Sequence, residues 1–316
     1  MKEKQVTIGE GGKYPLNGVL TFPDNRPPRV PAVVLVHGSG SHDMDETLFG
    51  NKPFRDIAEY LPTKGIAVLR YDKRTFVYGK QMMKDKNSRD FTVKDETIED
   101  VVLAANLLRN DDGVDPNHIY IVGHSLGGVL APRIDAEGGN FAGIIILAGS
   151  PRNLIDIMIS QNEEMIPQLG KLLQLIAKKR FVSIRAKLES IPAMTEAEAK
   201  NAKLAGQNLV WYLKEMAEHP VADYLRATEK PVLILHGEKD FQVTVEKDLA
   251  LYREICAGKP NVSFKVYAGL NHLFMKSIYG NLKDFKKEYK VPQKVDPRVL
   301  DDIAGFIFGG EGLPVS

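Results

Sequence analysis

The sequence predicts an α/β fold built on a mainly parallel sheet. Two observations carry that expectation. Short runs rich in Val, Ile and Leu recur along the chain, and they are continuously apolar rather than alternating. Such runs suit strands buried on both faces. Between them lie segments with apolar residues at helical spacing, as βαβ units require. A chain of 316 residues can bury a large core without disulfides or metals to staple it.

Taken in order, residues 4–9 and 16–22 (LNGVLTF) read as a hairpin with Gly11-Gly12 in its turn. It would form an antiparallel pair at the sheet edge. The buried runs follow: AVVLV (32–36), IAVLRY (66–71), IYIVG (119–123), GIIILA (143–148), VLILH (232–236) and FKVY (264–267). With the hairpin they make an eight-stranded sheet. Residues 96–109 read as a helix with acids in its first turn, where the helix dipole favours them. Residues 245–256 and 296–308 read similarly, the latter opening on Asp296-Pro297, an N-cap followed by Pro at the first helical position.

Residues 151–228 break this rhythm. LIDIMIS (154–160), LGKLLQLIAKK (169–179) and residues 195–219 all read as helices, with Thr195 and Glu198 as a capping box. The expected organisation is a core of residues 1–150 and 229–316, with residues 151–228 as a helical cap inserted after the sixth strand.

Charge excludes little but directs expectation. Lys+Arg is 42 and Asp+Glu is 41, so the net charge of +1 gives no reason to expect nucleic acid or an anionic membrane as a partner. The first residues lack an apolar signal region, and no apolar run reaches the ~18 residues of a membrane span. A cytoplasmic protein is the expectation. Cys256 is the only cysteine, so an intramolecular disulfide is impossible. No metal-ligand spacing and no phosphate-cradling glycine motif occurs, so no cofactor and no metal are expected. Oligomeric state is unreadable; a homodimer is one option.

The chemistry concentrates at residues 119–128, IYIVGHSLGG. Gly123-His124-Ser125-Leu126-Gly127 matches G-x-S-x-G between an apolar strand and a helix-compatible segment, the context that gives this short motif meaning. A tight turn there lifts the serine hydroxyl above the sheet, at a helix N-terminus that favours developing negative charge. A serine nucleophile needs a base, and the base needs an orienting acid; where G-x-S-x-G joins a strand to a helix as here, the fold's chain order is Ser, acid, His. Of the seven histidines only His219, His236 and His272 follow Ser125. His219 ends a cap helix and His236 ends a strand. His272 sits in a glycine-containing loop after FKVY and is the candidate base. Asp240, after VLILHGEK, is the candidate acid, with Glu238 as fallback and Asp248 third. The oxyanion donors would be the amides of Leu126 and Ser39, with Gly40 as alternative to Ser39. His37 would fix that loop through its side chain.

HGSG, RYDKR (70–74), GHSLGG, HGEKD and LNH, in this order, resemble the α/β-hydrolase superfamily over residues 16–308. The stretch LVHGSG…DET…NKPFRDIAEYLPTKGIAVLRYDKRT is similar to bacterial carboxylesterases of the EstD type, relatives of cinnamoyl and feruloyl esterases with a helical cap between the sixth and seventh strands. The resemblance implies a serine carboxylesterase acting on a small-molecule ester, with Ser125, Asp240 and His272 as the triad. After RYDKR the chain reads TFVYGKQ, where many relatives carry a glycine-rich loop. Asp72 and Arg74 are expected to pair with each other structurally. Gly40, Trp211, Tyr212 and Phe274 are the candidate pocket residues. A thioesterase or peptidase with the same triad, and a non-hydrolytic binder on the same fold, are the rival readings.

Overall fold

The computed structural model describes residues 1–84 and 89–309. Eight strands form one sheet: β1 (Lys2–Ile8), β2 (Leu16–Phe22), β3 (Val30–Val36), β4 (Ala67–Tyr71), β5 (Val114–His124), β6 (Gly143–Leu147), β7 (Val232–Gly237) and β8 (Val262–Tyr267). Their spatial order is β1-β2-β4-β3-β5-β6-β7-β8. β1 pairs antiparallel with β2, and β2 with β4; every later pairing is parallel. The antiparallel hairpin therefore closes one edge, as its turn glycines suggest.

The continuous apolar runs are explained by burial on two faces. In β3, Val30, Ala32, Val34 and Val36 face one core, while Val33 and Leu35 face the other. The first core lies under the helices Glu99–Arg109 and Leu126–Ile134, the second under Pro53–Tyr60 and Pro297–Ile307. The last helix begins as its sequence dictates: Asp296 accepts from the Arg298 amide at 2.9 Å, and Pro297 occupies the first turn.

Between β6 and β7 the chain is helical, and Ile155, Leu188, Ile191, Ala199, Leu204, Val210 and Leu213 give this block a small core of its own. The expected helix over 195–219 is two helices, Glu196–Asn201 and Val210–Glu218. The break comes at Ala205 and Gly206, both in the left-handed region (φ 48° and 86°), flanked by a bridge between Leu204 and Gln207. The capping box of Thr195 and Glu198 is present. The helix Val221–Ala227 packs by Val221 and Leu225 into the first core of the sheet. Among the described residues, no helix is long and apolar enough to cross a membrane.

Candidate active site

Parallel strands deliver loops to one edge of the sheet, outside their carboxyl ends. Gly38 and Ser39 follow β3, Ser125 follows β5, Asp240 follows β7 and His272 follows β8. Four loops far apart in sequence thus converge because β3, β5, β6, β7 and β8 are successive neighbours.

Ser125 sits at the turn from β5 into the helix Leu126–Ile134, with φ 51° and ψ −115°. A β-carbon makes that conformation costly, about 1–3 kcal/mol. The turn is held by the Ser125 amide, which donates to the Leu147 carbonyl at 2.8 Å. The flanking glycines serve close approach rather than unusual dihedrals. A Cβ at Gly127 would stand 2.2 Å from the Val36 carbonyl oxygen, and one at Gly123 2.2 Å from that of Gly127. Leu126 is the first residue of the helix, so its amide has no intrahelical acceptor.

Asp240 and His272 are brought together. His272 Nδ1 lies 2.7 Å from Asp240 Oδ2, and both side chains are buried. The other carboxylate oxygen of Asp240 accepts the amides of Gln242 at 2.8 Å and Val243 at 3.0 Å. Asp240 is therefore fixed by its own turn, and its remaining oxygen orients the imidazole, which leaves Nε2 as the free face of the ring. Glu238 instead accepts from the Gly269 amide at 2.9 Å and pairs with Lys239 on the surface. Asp248 is taken by Ser150 Oγ, Arg152 and the Thr244 amide. His236 is fully buried, and burial drives its pKa down to about 4. His219 bonds to the Tyr224 hydroxyl at 2.7 Å.

The loop after β3 comes close to Ser125: a Cβ at Gly38 would lie 3.2 Å from the Ser125 Cβ. His37 anchors the loop, its Nε2–H donating to the Asp43 carbonyl at 3.0 Å. Burial holds that imidazole neutral, with a pKa lowered to about 3. The Gly38 amide donates to Glu46 Oε1 at 2.7 Å, so it is already engaged within the protein. Ser39 and Gly40 are exposed, and Gly40 has φ 101°.

Two residues that sequence reasoning did not single out belong to this neighbourhood. Glu46 is buried, and its second oxygen lies 3.0 Å from His124 Nδ1. Lys73 is also buried, and its Nζ donates to the Gly38 carbonyl at 2.8 Å. The available signals were the acid in DET and the charge run closing the RYDKR strand.

One expectation is corrected, and the candidate pocket residues are placed as follows. Asp72 and Arg74 do not pair with each other: Asp72 accepts from the Met44 amide at 2.9 Å, and Arg74 binds Asp100 and Glu99. Phe274 lines a small internal cavity with Glu46 and His124. It is 2% exposed and packs into the second core, edge-on to Tyr267. Tyr212 points its hydroxyl at Glu96, 2.7 Å away, and packs against the first core. Trp211 is half-buried against the small core of the helical block, with Lys200 over its ring.

A serine at a strained strand-to-helix turn and a buried Asp–His pair thus stand at the same edge of the sheet, with His124 bonded to the His272 carbonyl between them. Residues 33–277 match the model of the alpha/beta hydrolase family. The chain belongs to that family. It is 36% identical over 303 residues to the esterase EstD of Thermotoga maritima, an alignment covering 96% of this chain and 66% of that protein. The chain thus spans about two thirds of that relative's length. Among solved structures it resembles Est1E from Butyrivibrio proteoclasticus with ferulic acid bound, at TM-score 0.56 and 20% identity over 95% of this chain and 99% of that one. It also resembles the proline iminopeptidase of Mycobacterium smegmatis, at TM-score 0.59 and 16% identity over 97% and 98% of the two chains. These likenesses are of fold, and the same fold carries unlike substrates.

Proposed function

We propose that this protein is a serine carboxylesterase that hydrolyses short to medium carboxylic esters through an acyl-enzyme. One observation carries the reading: Asp240 holds His272 by Nδ1 at 2.7 Å, and the His272 carbonyl is bonded to His124, the residue before a serine at a strained strand-to-helix turn. The kinship with the Thermotoga esterase supports ester rather than other acyl substrates.

In this reading His272 Nε2 takes the Ser125 Oγ proton as Oγ attacks the ester carbonyl carbon. Asp240 stabilises the imidazolium that forms without itself taking the proton. The amides of Leu126 and Ser39 hold the oxyanion. His272 returns the proton to the departing alkoxide, leaving the acyl group on Ser125. Water, deprotonated by the same imidazole, then releases the acid and restores the serine. The helical block between β6 and β7 acts as a cap that sets acyl and alcohol preference, with Trp211 as its candidate contact.

The decisive experiment is turnover of p-nitrophenyl acetate and butyrate by the wild type and by Ser125→Ala. Multiple turnovers by the wild type, lost in the variant, are expected. Wild-type activity in Ser125→Ala would sink the reading. A panel of esters of varied acyl length, including methyl ferulate, then assigns the substrate class.

A further inference from the structure

A lysine ammonium is rarely taken out of water unless it is paired. Lys73 is 2% exposed, and it is paired twice. Its Nζ lies 2.6 Å from Glu96 Oε1 and donates to the Gly38 carbonyl at 2.8 Å. That carbonyl shares one amide plane with the Ser39 N–H, the second oxyanion donor of the proposed mechanism. The far side of Gly38 is gripped too, since its amide donates to Glu46 at 2.7 Å. The backbone of Lys73 is itself laced to the oxyanion loop, its N–H donating to the His42 carbonyl at 3.1 Å.

A cation donating to an amide oxygen draws electron density from the nitrogen and strengthens the N–H as a donor, more so where the dielectric is low. It also fixes the plane of the peptide, so the donor needs no reorganisation when the oxyanion forms. Glu96 continues the chain outwards. Its other oxygen accepts from the Tyr212 hydroxyl at 2.7 Å, and Tyr212 stands on the helix Val210–Glu218 of the helical block. Phe91 stacks on the Tyr212 ring, with centroids 6.2 Å apart, and steadies that contact.

We propose that Lys73 is a positioning residue that orients and polarises the Gly38–Ser39 peptide, and that Tyr212 couples it through Glu96 to the seating of the helical block. The inference rests on Ser39 as an oxyanion donor and on Ser125 as the nucleophile. It makes the oxyanion site sensitive to a contact made by the helical block. A substrate that seats the block well would thereby meet a better-formed oxyanion site.

The test separates this role from that of a plain buried ion pair. Lys73→Met alone leaves the Glu96 carboxylate buried and unpaired, so the informative variant is the neutral double, Lys73→Met with Glu96→Gln. Tyr212→Phe removes only the hydroxyl. With p-nitrophenyl butyrate the double variant should lose kcat about tenfold with KM within about twofold, less than the full loss of an oxyanion donor causes. The Ki of an alkyl trifluoromethyl ketone, whose hydrated carbonyl becomes an oxyanion adduct on the serine, should weaken by the same factor. Tyr212→Phe should move kcat and Ki together in the same direction by about threefold. Unchanged kcat and Ki in the double variant, with only its thermal midpoint lowered, would overturn the proposal. A wild-type Tyr212→Phe beside an impaired double variant would overturn the coupling to the helical block. Neither outcome resembles failure of the underlying reading, which would show as turnover surviving Ser125→Ala.

Discussion

Glu46 and His124 form a buried carboxylate–imidazole pair, 3.0 Å apart, immediately beside Ser125. The pair ties three loops. Glu46 holds the Gly38 amide at 2.7 Å, and His124 Nε2–H donates to the His272 carbonyl at 3.0 Å. Burial opposes ionisation of Glu46, but the adjacent His124 holds its carboxyl down at about 2. Burial likewise opposes the charged imidazole of His124, and Glu46 outweighs it, raising the His124 pKa above 6.5. Glu46, depressed from 4.5, adds stability that is present above its unfolded value and lost as pH falls towards about 2. His124, raised, adds stability that is present below 6.5 and lost as pH rises past its folded value. Glu46→Gln keeps an acceptor for Gly38 and removes the charge. It should cost about 3 kcal/mol, as broken buried pairs do. The gap to wild type in urea unfolding should be widest between pH 4.5 and 6.5 and narrow on both sides. A gap that does not vary with pH would show that the charge is not what Glu46 contributes.

Asp240→Asn should disable the base while leaving the fold intact. The Gln242 and Val243 amides would keep the asparagine carbonyl oxygen where Oδ1 now sits. The asparagine NH₂ would then face His272 Nδ1, which must become an acceptor. The imidazole proton moves to Nε2, the wrong tautomer for taking the serine proton. The expected loss in kcat on p-nitrophenyl acetate is about 10⁴-fold, with KM little changed. Glu238→Gln, at a carboxylate engaged with Gly269 and Lys239 on the surface, should stay close to wild type. Equal losses in the two variants would reassign the acid.

Ser125→Gly should be inactive and yet more stable than the wild type. The residue stands at φ 51°, ψ −115°, where glycine escapes the steric cost of a β-carbon. A gain of about 1 kcal/mol is expected, since relief of strain is offset by glycine's greater freedom when unfolded. Ser125→Ala keeps the β-carbon and should lack that gain. Urea unfolding of the two inactive variants side by side is the measurement. Equal stability would mean that the turn stores no strain.

The strands and the chain order of the candidate site were legible for different reasons. β3, β5, β6 and β7 are covered on both faces, so their apolar runs are unbroken and easy to read. Ser125 and Asp240 could be picked out because each follows such a run at a parallel strand's end; His272 follows the half-exposed edge strand β8 and was reached by its place after them in the chain. Pairings across the chain could not be read. Arg74 chooses Asp100 over its neighbour Asp72, since only the helix Glu99–Arg109 presents a carboxylate to its buried guanidinium. Phe274 follows the candidate base in sequence, but its backbone turns at φ 57° and sends the ring into the core. Glu46 reaches Gly38 from within the same long loop and Lys73 from the end of the neighbouring strand β4, so DET and RYDKR marked charges there without showing what they bind.

A pair of glycine substitutions separates close approach from mere helix entry. Gly127 lies in the helix after Ser125, and an alanine Cβ there would stand 2.2 Å from the Val36 carbonyl oxygen and 2.7 Å from that of His37. Both obstacles are backbone at the end of a central strand, so neither can rotate away. Gly127→Ala should force the helix off β3, lowering stability by about 3 kcal/mol or more, at the upper end of overpacking costs. The helix start carries both Ser125 and the Leu126 amide, so kcat should fall as well. Gly305, in the helix Pro297–Ile307, has nothing within 4 Å of its would-be Cβ. Gly305→Ala should therefore stabilise by about 1 kcal/mol through helix propensity alone, with kcat unchanged. Thermal midpoints of the two variants, measured in one buffer, should move in opposite directions from wild type, while kcat falls in Gly127→Ala and stays at the wild-type value in Gly305→Ala. A Gly127→Ala variant with wild-type stability would show that the contact between this helix and β3 is looser than the 2.2 Å approach implies.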